Sequence, residues 1–479
     1  MRHGAHLVVA LCALAPLGVL SARGGQPTHG AVAAAEIQEP AVIFTSAPVY
    51  DSLAALDGRE RFPQGAQLMV LRSGRVEALT PGFAASADAS VGFDGQAVLF
   101  AGKKHAGDPW QIWKTSASGG EPQLVRSAAT NLIRPLWMPG GRMVYARRSP
   151  SGYGLETAAM DGAGGEAAVQ RLTFLPGNFV PDDVLGDGRV LFESGFPLGA
   201  DATPEMFLVY ADGSGVESVR CDHPAGREAG REHGKQMASG DIVFTHGQRL
   251  GRFTSALKDE AAVVAPAGEY AGDVAELPDG RWVLAVKRPG AAHFALAAWG
   301  PGTAALAPLT RDAARDFVEP AVAAPRTEPK KHPSGLHDWS VGNLLALDAR
   351  MTRGGPVAGR LAAVKAETLD ATGHTVELGT APVETDGSFF VQATGDQPLR
   401  LILLDAQGRT LRAEHGWFWV RSGEQRICAG CHTGPERAPD NRVPAVLLRT
   451  QTPADLTGTR MRIAAMNSSV AGSSAAGGH

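Results

Sequence analysis

Between residues 40 and 310 the chain returns five times to one phrase: a tight polar turn ending in glycine, followed at once by a run of aliphatic, β-branched or aromatic residues. The copies are Phe93-Asp94-Gly95-Gln96-Ala97-Val98-Leu99-Phe100, Gly140-Gly141-Arg142-Met143-Val144-Tyr145, Gly186-Asp187-Gly188-Arg189-Val190-Leu191-Phe192, Ser239-Gly240-Asp241-Ile242-Val243-Phe244 and Pro278-Asp279-Gly280-Arg281-Trp282-Val283-Leu284. Their turn glycines stand 46, 47, 52 and 40 residues apart, close to the ~40–50 residues of a four-stranded propeller blade. Asp-Gly suits such hairpins because both turn positions there often take positive φ, which Asp and Gly tolerate. A lone four-stranded sheet leaves both faces in water and its edges unpaired, whereas a ring of stacked sheets buries the faces and shields the edges. An earlier divergent copy, Val42-Ile43-Phe44 with Gln67-Leu68-Met69-Val70-Leu71, brings the expected count to six. The sequence therefore predicts an all-β fold with a six-bladed β-propeller over residues 36–317; an open array of sandwiches is the competing packing.

Composition narrows the class. Hydrophobic residues make up 44% and charged residues 20%, a balance that fits neither a disordered chain nor a membrane-embedded one. Forty-five basic against 49 acidic side chains give a net charge of −4, too small to mark a nucleic-acid partner. Four cysteines in 479 residues exclude a disulfide-stapled scaffold. Leu7 to Leu20 is a short apolar run behind Arg2 and His3, short of the ~20 residues a bilayer requires. It reads as a signal peptide over residues 1–35, cleaved after Ala33-Ala34-Ala35, and an uncleaved anchor is the alternative. Leu11 stands where a lipoprotein signal needs a small residue before Cys12. No later run approaches a membrane span, so the mature chain is expected to be periplasmic or otherwise secreted, with no transmembrane segment.

Residues 318–340 are rich in Pro, Lys and His and read as a linker that ends the repeat. Short strands follow at Gly342–Leu347, Gly359–Val364, Gly387–Val391 and Leu399–Leu404, predicting a small β-sandwich over 341–412. Residues 463–479, with their Ser and Gly pairs, are expected to be disordered. No Gly-x-Ser-x-Gly elbow, His-Glu-x-x-His helix or phosphate loop occurs, and a propeller by itself names no chemistry.

Chemistry is concentrated at Cys428-Ala429-Gly430-Cys431-His432. Two thiols three positions apart can add across the two vinyl groups of one haem, and the adjacent His can ligate its iron. A structural zinc site would need four ligands, and the one cysteine left in the body, Cys221, lies in another domain. A thioredoxin-like pair would need a βαβ context, and a plain disulfide would not call for His432. The sequence therefore predicts a haem c-binding segment over 413–462, with Cys428, Cys431 and His432 as its site. Only 47 residues follow His432, too few for a complete small cytochrome, so the haem must borrow walls from the sandwich and the propeller. Trp417 and Trp419 flank Phe418 on an expected strand; both indoles would face one way, covering either the haem or an ordinary sandwich core. His415 is the first candidate for the second iron ligand, beside Met461, Met466, His332, His337 or an open position. Residues 400–462 hold ten Arg, no Lys and six acids, which could balance haem propionates through Arg426 and Arg437, steer an acidic partner or form a plain solvated surface. Cys221 has no assigned role.

Blade endings such as Gln111-Ile112-Trp113-Lys114 before Gly119-Gly120-Glu121-Pro122 resemble those of TolB-like (PD40) propellers. The order of signal, propeller, sandwich and late Cys-x-x-Cys-His resembles the hydrazine synthase alpha subunit-like family. The residues that carry it are Asp386-Gly387-Ser388-Phe389, Leu404-Asp405-Ala406-Gln407-Gly408, Trp419-Val420-Arg421-Ser422-Gly423-Glu424, the cysteine motif and Arg437-Ala438-Pro439-Asp440-Asn441-Arg442. The resemblance implies a multihaem complex with a catalytic haem in a domain before the propeller and an electron-transferring haem in the terminal one. Only the terminal attachment motif is present here, so it carries over Cys428, Cys431 and His432 and nothing catalytic. The expectation is an exported single-haem electron-transfer protein or redox-complex subunit with an unidentified redox protein partner. The competing classes are a propeller binding module with a structural or ligand-sensing haem, and an enzyme acting at an open iron position.

Overall fold

Eight four-stranded sheets organise the chain in the computed structural model, which describes residues 39–458 apart from 163–164, 197, 199–202, 221–229, 257, 312–313, 353–354 and 432–440. Six of the sheets are propeller blades. Blades 2 to 6 each run outward in sequence order, over 85–126, 132–171, 179–218, 231–262 and 269–308. The first strands of neighbouring blades pack on one another around a common axis. Blade 1 is built differently: Asp316–Ala323 pairs antiparallel with Ala41–Ala47, followed outward by Gln67–Arg72 and Arg75–Ala78.

That closure explains why five copies of the turn phrase are readable rather than six. Each copy is the hairpin between the first and second strands of a blade, and in blade 1 those strands come from opposite ends of the repeat. It also moves a boundary: the ring's last strand reaches Ala323, six residues into the segment whose composition reads as a linker.

The turns correct a second expectation. In four of the five only the glycine has positive φ, at Gly95 (74°), Gly188 (91°), Gly240 (90°) and Gly280 (83°); both positions are positive at Gly140-Gly141 alone. Gly188 N–H donates to Leu185 O at 2.8 Å and Gly280 N–H to Leu277 O at 2.9 Å, a turn closed by one left-handed residue. The preceding Asp serves as an acceptor: Asp187 Oδ1 takes the Arg189 N–H and Asp279 Oδ1 the Arg281 N–H, both at 3.0 Å.

Large side chains fill the space between blades, among them Phe44, Phe100, Tyr145, Phe179, Phe192, Phe244 and Trp299, all fully buried. Every innermost strand is interrupted by a register shift near its middle. In blades 1, 2, 3 and 5 the bulge sets a non-glycine residue at positive φ: Glu319, Asp88, Arg134 and His233. A bulge re-aims a side chain, and here polar groups are turned inward at one level of the ring.

The remaining two sheets form the sandwich. One is ordered Gln425–Cys428, Val341–Ala346, Phe389–Thr394, Ala454–Asp455, and the other Thr375–Pro382, Leu361–Leu369, Arg400–Asp405, Thr410–Ala413. Leu344, Val364, Phe389, Val391, Leu401 and Leu403 make its core, and Phe389–Thr394 alternates buried and half-buried positions with the period of two expected of a strand covered on one face. The outer strands of the first sheet, Gln425–Cys428 and Ala454–Asp455, both come from the 413–462 segment and pair in parallel with their neighbours. The one described α-helix is Ala445–Arg449. No helix among the described residues is long and apolar enough to cross a membrane. The segments expected as signal peptide and disordered tail lie outside the described residues.

Candidate functional site

The residues after the sandwich's last hairpin hold the sandwich against blade 4. Trp419, fully buried, donates its indole N–H to Gly213 O at 2.8 Å and packs 6.0 Å from the Phe174 ring. Arg421 pairs with Asp396 at 2.6 Å, donates to Asp212 O and lies 4.6 Å over Phe174. Glu424 accepts from Gly215 N–H at 3.1 Å and from Arg421 N–H at 2.8 Å. Burial works against charge at Asp212, but hydrogen bonds from Ser214 and Ser334 hold its carboxyl below the usual range. Gly423 closes the turn at φ 82°, its N–H on Val341 O and its O accepting from His337 N–H; a Cβ there would fall 1.9 Å from the His337 carbonyl oxygen, so only glycine fits.

Residues on which the sequence resemblance rests thus have mechanical roles. Asp386 Oδ1 accepts from Ser388, and its Oδ2 from Ala445 N–H at 2.8 Å, while Ser388 Oγ accepts from Val446 N–H at 3.0 Å. These bonds fasten the short helix back onto the sandwich. Trp419→Ala is expected to cost about 3–5 kcal/mol at this joint. Limited proteolysis of residues 324–340 should then be faster than in the parent, while the blades remain protected.

Beside this joint, between blades 4 and 5 and the sandwich, lies a cavity of about 760 Å³, within the ~300–1,000 Å³ of small-molecule and cofactor sites. Blade 4 contributes Phe196, Leu198, Phe207 and Val216; the sandwich and its extension contribute Leu344, Phe389, Trp417 and Phe418. Cys428 and Cys431 both line it. Cys428 ends the strand paired in parallel with Val341–Ala346, its carbonyl accepting from Leu347 N–H at 2.9 Å. Cys431, half-buried, packs on the sandwich core. Burial first, then Glu414 and Cys428, pushes its thiol up to about 12, so without a covalent partner it stays protonated. Both cysteines are free.

The structure also brings His415 and Trp417 to this cavity. His415 is exposed, and Trp417 is half-buried beneath the Arg400 guanidinium, 4.6 Å away. Trp419 does not line the cavity, which differs from the expectation of two indoles on one face. Residues 414–420 form no regular strand; a single bridge, Leu399 to Phe418, holds them, and Trp419 is spent on the propeller contact. Arg426 lines the cavity, donates to Val216 O at 2.5 Å and sits 5.5 Å from the Phe418 ring. The His332 ring lies 4.2 Å from that of Tyr210, tilted by 31°, and His337 stacks on Trp339 (4.6 Å); neither lines the cavity. His432, Arg437, Met461, Met466 and Cys221 lie outside the described residues. The blade 4 wall could not be found from sequence, because Phe196 to Val216 lie some two hundred positions from the cysteines and carry no motif of their own.

Residues 345–433 match the family described as hydrazine synthase alpha subunit middle domain, a span running from the first sandwich strand through the Cys-x-x-Cys-His motif, so the motif falls in that middle domain and not in the terminal one that the resemblance implied. The hydrazine synthase subunit alpha of Kuenenia stuttgartiensis is 35% identical over 60 residues, 12% of this chain and 7% of that protein, so the match spans a small part of the curated relative. The solved Kuenenia stuttgartiensis hydrazine synthase superposes with a TM-score of 0.74 at 17% identity, covering 86% of this chain and 71% of that one. TolB from Acinetobacter baumannii gives a TM-score of 0.43 at 13% identity, over 60% of this chain and 67% of that one. The sandwich thus matches, at residues 345–433, the family of the hydrazine synthase alpha subunit middle domain, and the fold over most of the chain is like that of the solved enzyme.

Proposed function

We propose that this chain is an exported single-haem c-type cytochrome, an electron-transfer protein or redox-complex subunit, with the haem linked through Cys428 and Cys431 in the cavity between blade 4 and the sandwich. The observation that carries the reading is that both thiols of the motif line one large, mostly apolar-walled cavity. The residues fit the group: two thiols three positions apart, aromatic walls from two domains, and cationic Arg426 on the lining to balance acidic side groups. Bound haem would supply one-electron ferric/ferrous chemistry. The chain's own part is to exclude water through Phe196, Leu198, Phe207 and Trp417, to orient Cys428 by strand pairing, and to offer His432 and His415 as iron ligands. The resemblance to hydrazine synthase supports placement in a larger redox assembly with a protein electron partner.

Full-length protein made in a host with c-type maturation is expected to carry one covalent haem per chain by pyridine haemochrome assay. Its iron should be six-coordinate and low-spin, and His415→Ala should perturb that spectrum. Five-coordinate iron that binds carbon monoxide readily would replace electron transfer with ligand sensing or catalysis, and a colourless product with two alkylatable thiols would overturn the haem itself.

A further inference from the structure

The propeller axis holds a second cluster, remote in sequence from the cysteines. The bulges of the innermost strands bring together Asp88, Arg134, Asp182, His233, Asp273 and Glu319, one from each blade. Arg61, Glu193, Glu232, Lys235 and the Tyr50 hydroxyl join them. Among the described residues this makes six carboxylates against three permanent cations, and every one of the six is buried. Burying charge without compensation is expensive.

The cations are not shared evenly. Arg134 grips Asp273 with two bonds of 3.0 Å, and Lys235 adds a contact at 3.4 Å. Arg61 takes Asp88 at 3.0 Å and also pairs with Glu319. Among the described residues, Asp182 receives a long 3.4 Å contact from Arg134 and the Gly234 N–H at 3.3 Å. Glu193 has one oxygen on the His233 N–H at 3.1 Å; its other oxygen, Oε1, is buried with no hydrogen-bond partner. Asp182, Glu193 and His233 each offer a ligand atom, and these atoms lie within 4.8 Å of one another. Glu319 Oε2 is also without a hydrogen bond but lies 3.6 Å from Arg134; the charge shortfall and an orphaned oxygen meet at Asp182, Glu193 and His233.

We propose that Asp182, Glu193 and His233 hold a divalent cation on the propeller axis. The class of ion follows from the donors. Calcium and magnesium take oxygen ligands, whereas a set of two carboxylates and an imidazole suits zinc or manganese. The His233 ring is already oriented for such a role: one nitrogen is 3.4 Å from Asp273 Oδ1 and the other 3.2 Å from the Tyr50 hydroxyl. The Tyr50 contact fixes the ring through one nitrogen, and the other, Nδ1, is buried with no hydrogen-bond partner and is the one left for an ion. The ion ties blade 4, which supplies Asp182 and Glu193, to blade 5, which supplies His233. This site stands apart from the cysteine cavity and does not depend on haem.

The test uses the full chain, purified from medium supplemented with zinc and manganese and dialysed, with metals counted by plasma mass spectrometry and haem iron counted separately by absorbance. About one zinc or manganese per chain is expected, falling at least fivefold in Glu193→Gln and in Asp182→Asn with haem content unchanged. Stripping the parent with a chelator should lower its melting temperature, and zinc or manganese chloride alone should restore it. A parent with under a tenth of an equivalent and no melting shift on adding either ion overturns the proposal, as does full metal content in both variants.

Discussion

Replacing Cys428 and Cys431 together by alanine is expected to give a folded, colourless chain, with covalent haem reduced by at least a hundredfold. Thioether attachment needs both sulfurs, and Ala at either position keeps the backbone bonds that matter locally, including the Leu347 N–H to the carbonyl of residue 428. Neither cysteine belongs to a blade, so the propeller should melt as a cooperative unit as before. Single variants should retain a fraction of the haem through one link. Haem staining after denaturing electrophoresis reads the covalent bond directly, and staining undiminished in the double variant would refute the assignment.

The other large effect is expected at Arg134. Its guanidinium is 3% exposed in side-chain terms and meets Asp273, Asp182 and Glu319, while its N–H donates to Asp88 at 2.9 Å. Truncation leaves uncompensated buried carboxylates, for which about 3–5 kcal/mol is typical. For a domain of this size that corresponds to a fall in Tm of roughly 10 °C. Arg134→Met should show that loss, and adding Asp273→Leu should recover much of it, since an apolar pair of similar volume needs no counter-charge. Burial alone would raise the Asp273 carboxyl, yet Arg134 and Lys235 hold it well below the usual carboxylate range. Its folded value is depressed, so the stability from this pairing is present above the unfolded Asp pKa, about 3.9, and is lost as pH falls through the folded value. The parent should therefore lose stability in acid more steeply than the Arg134→Met, Asp273→Leu double variant. Equal acid slopes in the two would show that the pair does not carry the effect.

The propeller was readable because its hairpins repeat a local rule: an acceptor Asp or Ser, a glycine at positive φ and a β-branched run. Five blades were readable for the same reason, and the sixth from the divergent copy at Val42-Ile43-Phe44, although its first two strands share no hairpin. The axial cluster left no trace in sequence, since Asp88, Arg134, Asp182, His233, Asp273 and Glu319 have no common residue type and owe their proximity to bulges. At the other site Cys428 and Cys431 stood out locally by their spacing, and both line the cavity. His415 and Trp417 were found by nearness in sequence, but the same nearness misplaced Trp419, because a joint between domains claimed it. The wall contributed by blade 4 depends on how two domains dock, which no periodicity in either encodes.

The strand Asp316–Ala323 sets an order of assembly. A ribosome delivers it some 270 residues after the partner strand Ala41–Ala47, and until then blade 1 waits with an unpaired inner edge. Pairing of such high sequence separation is slow, and an exposed edge invites aggregation. Deleting residues 316–323 alone should turn the closed ring into an aggregation-prone open one, although five complete blades would remain.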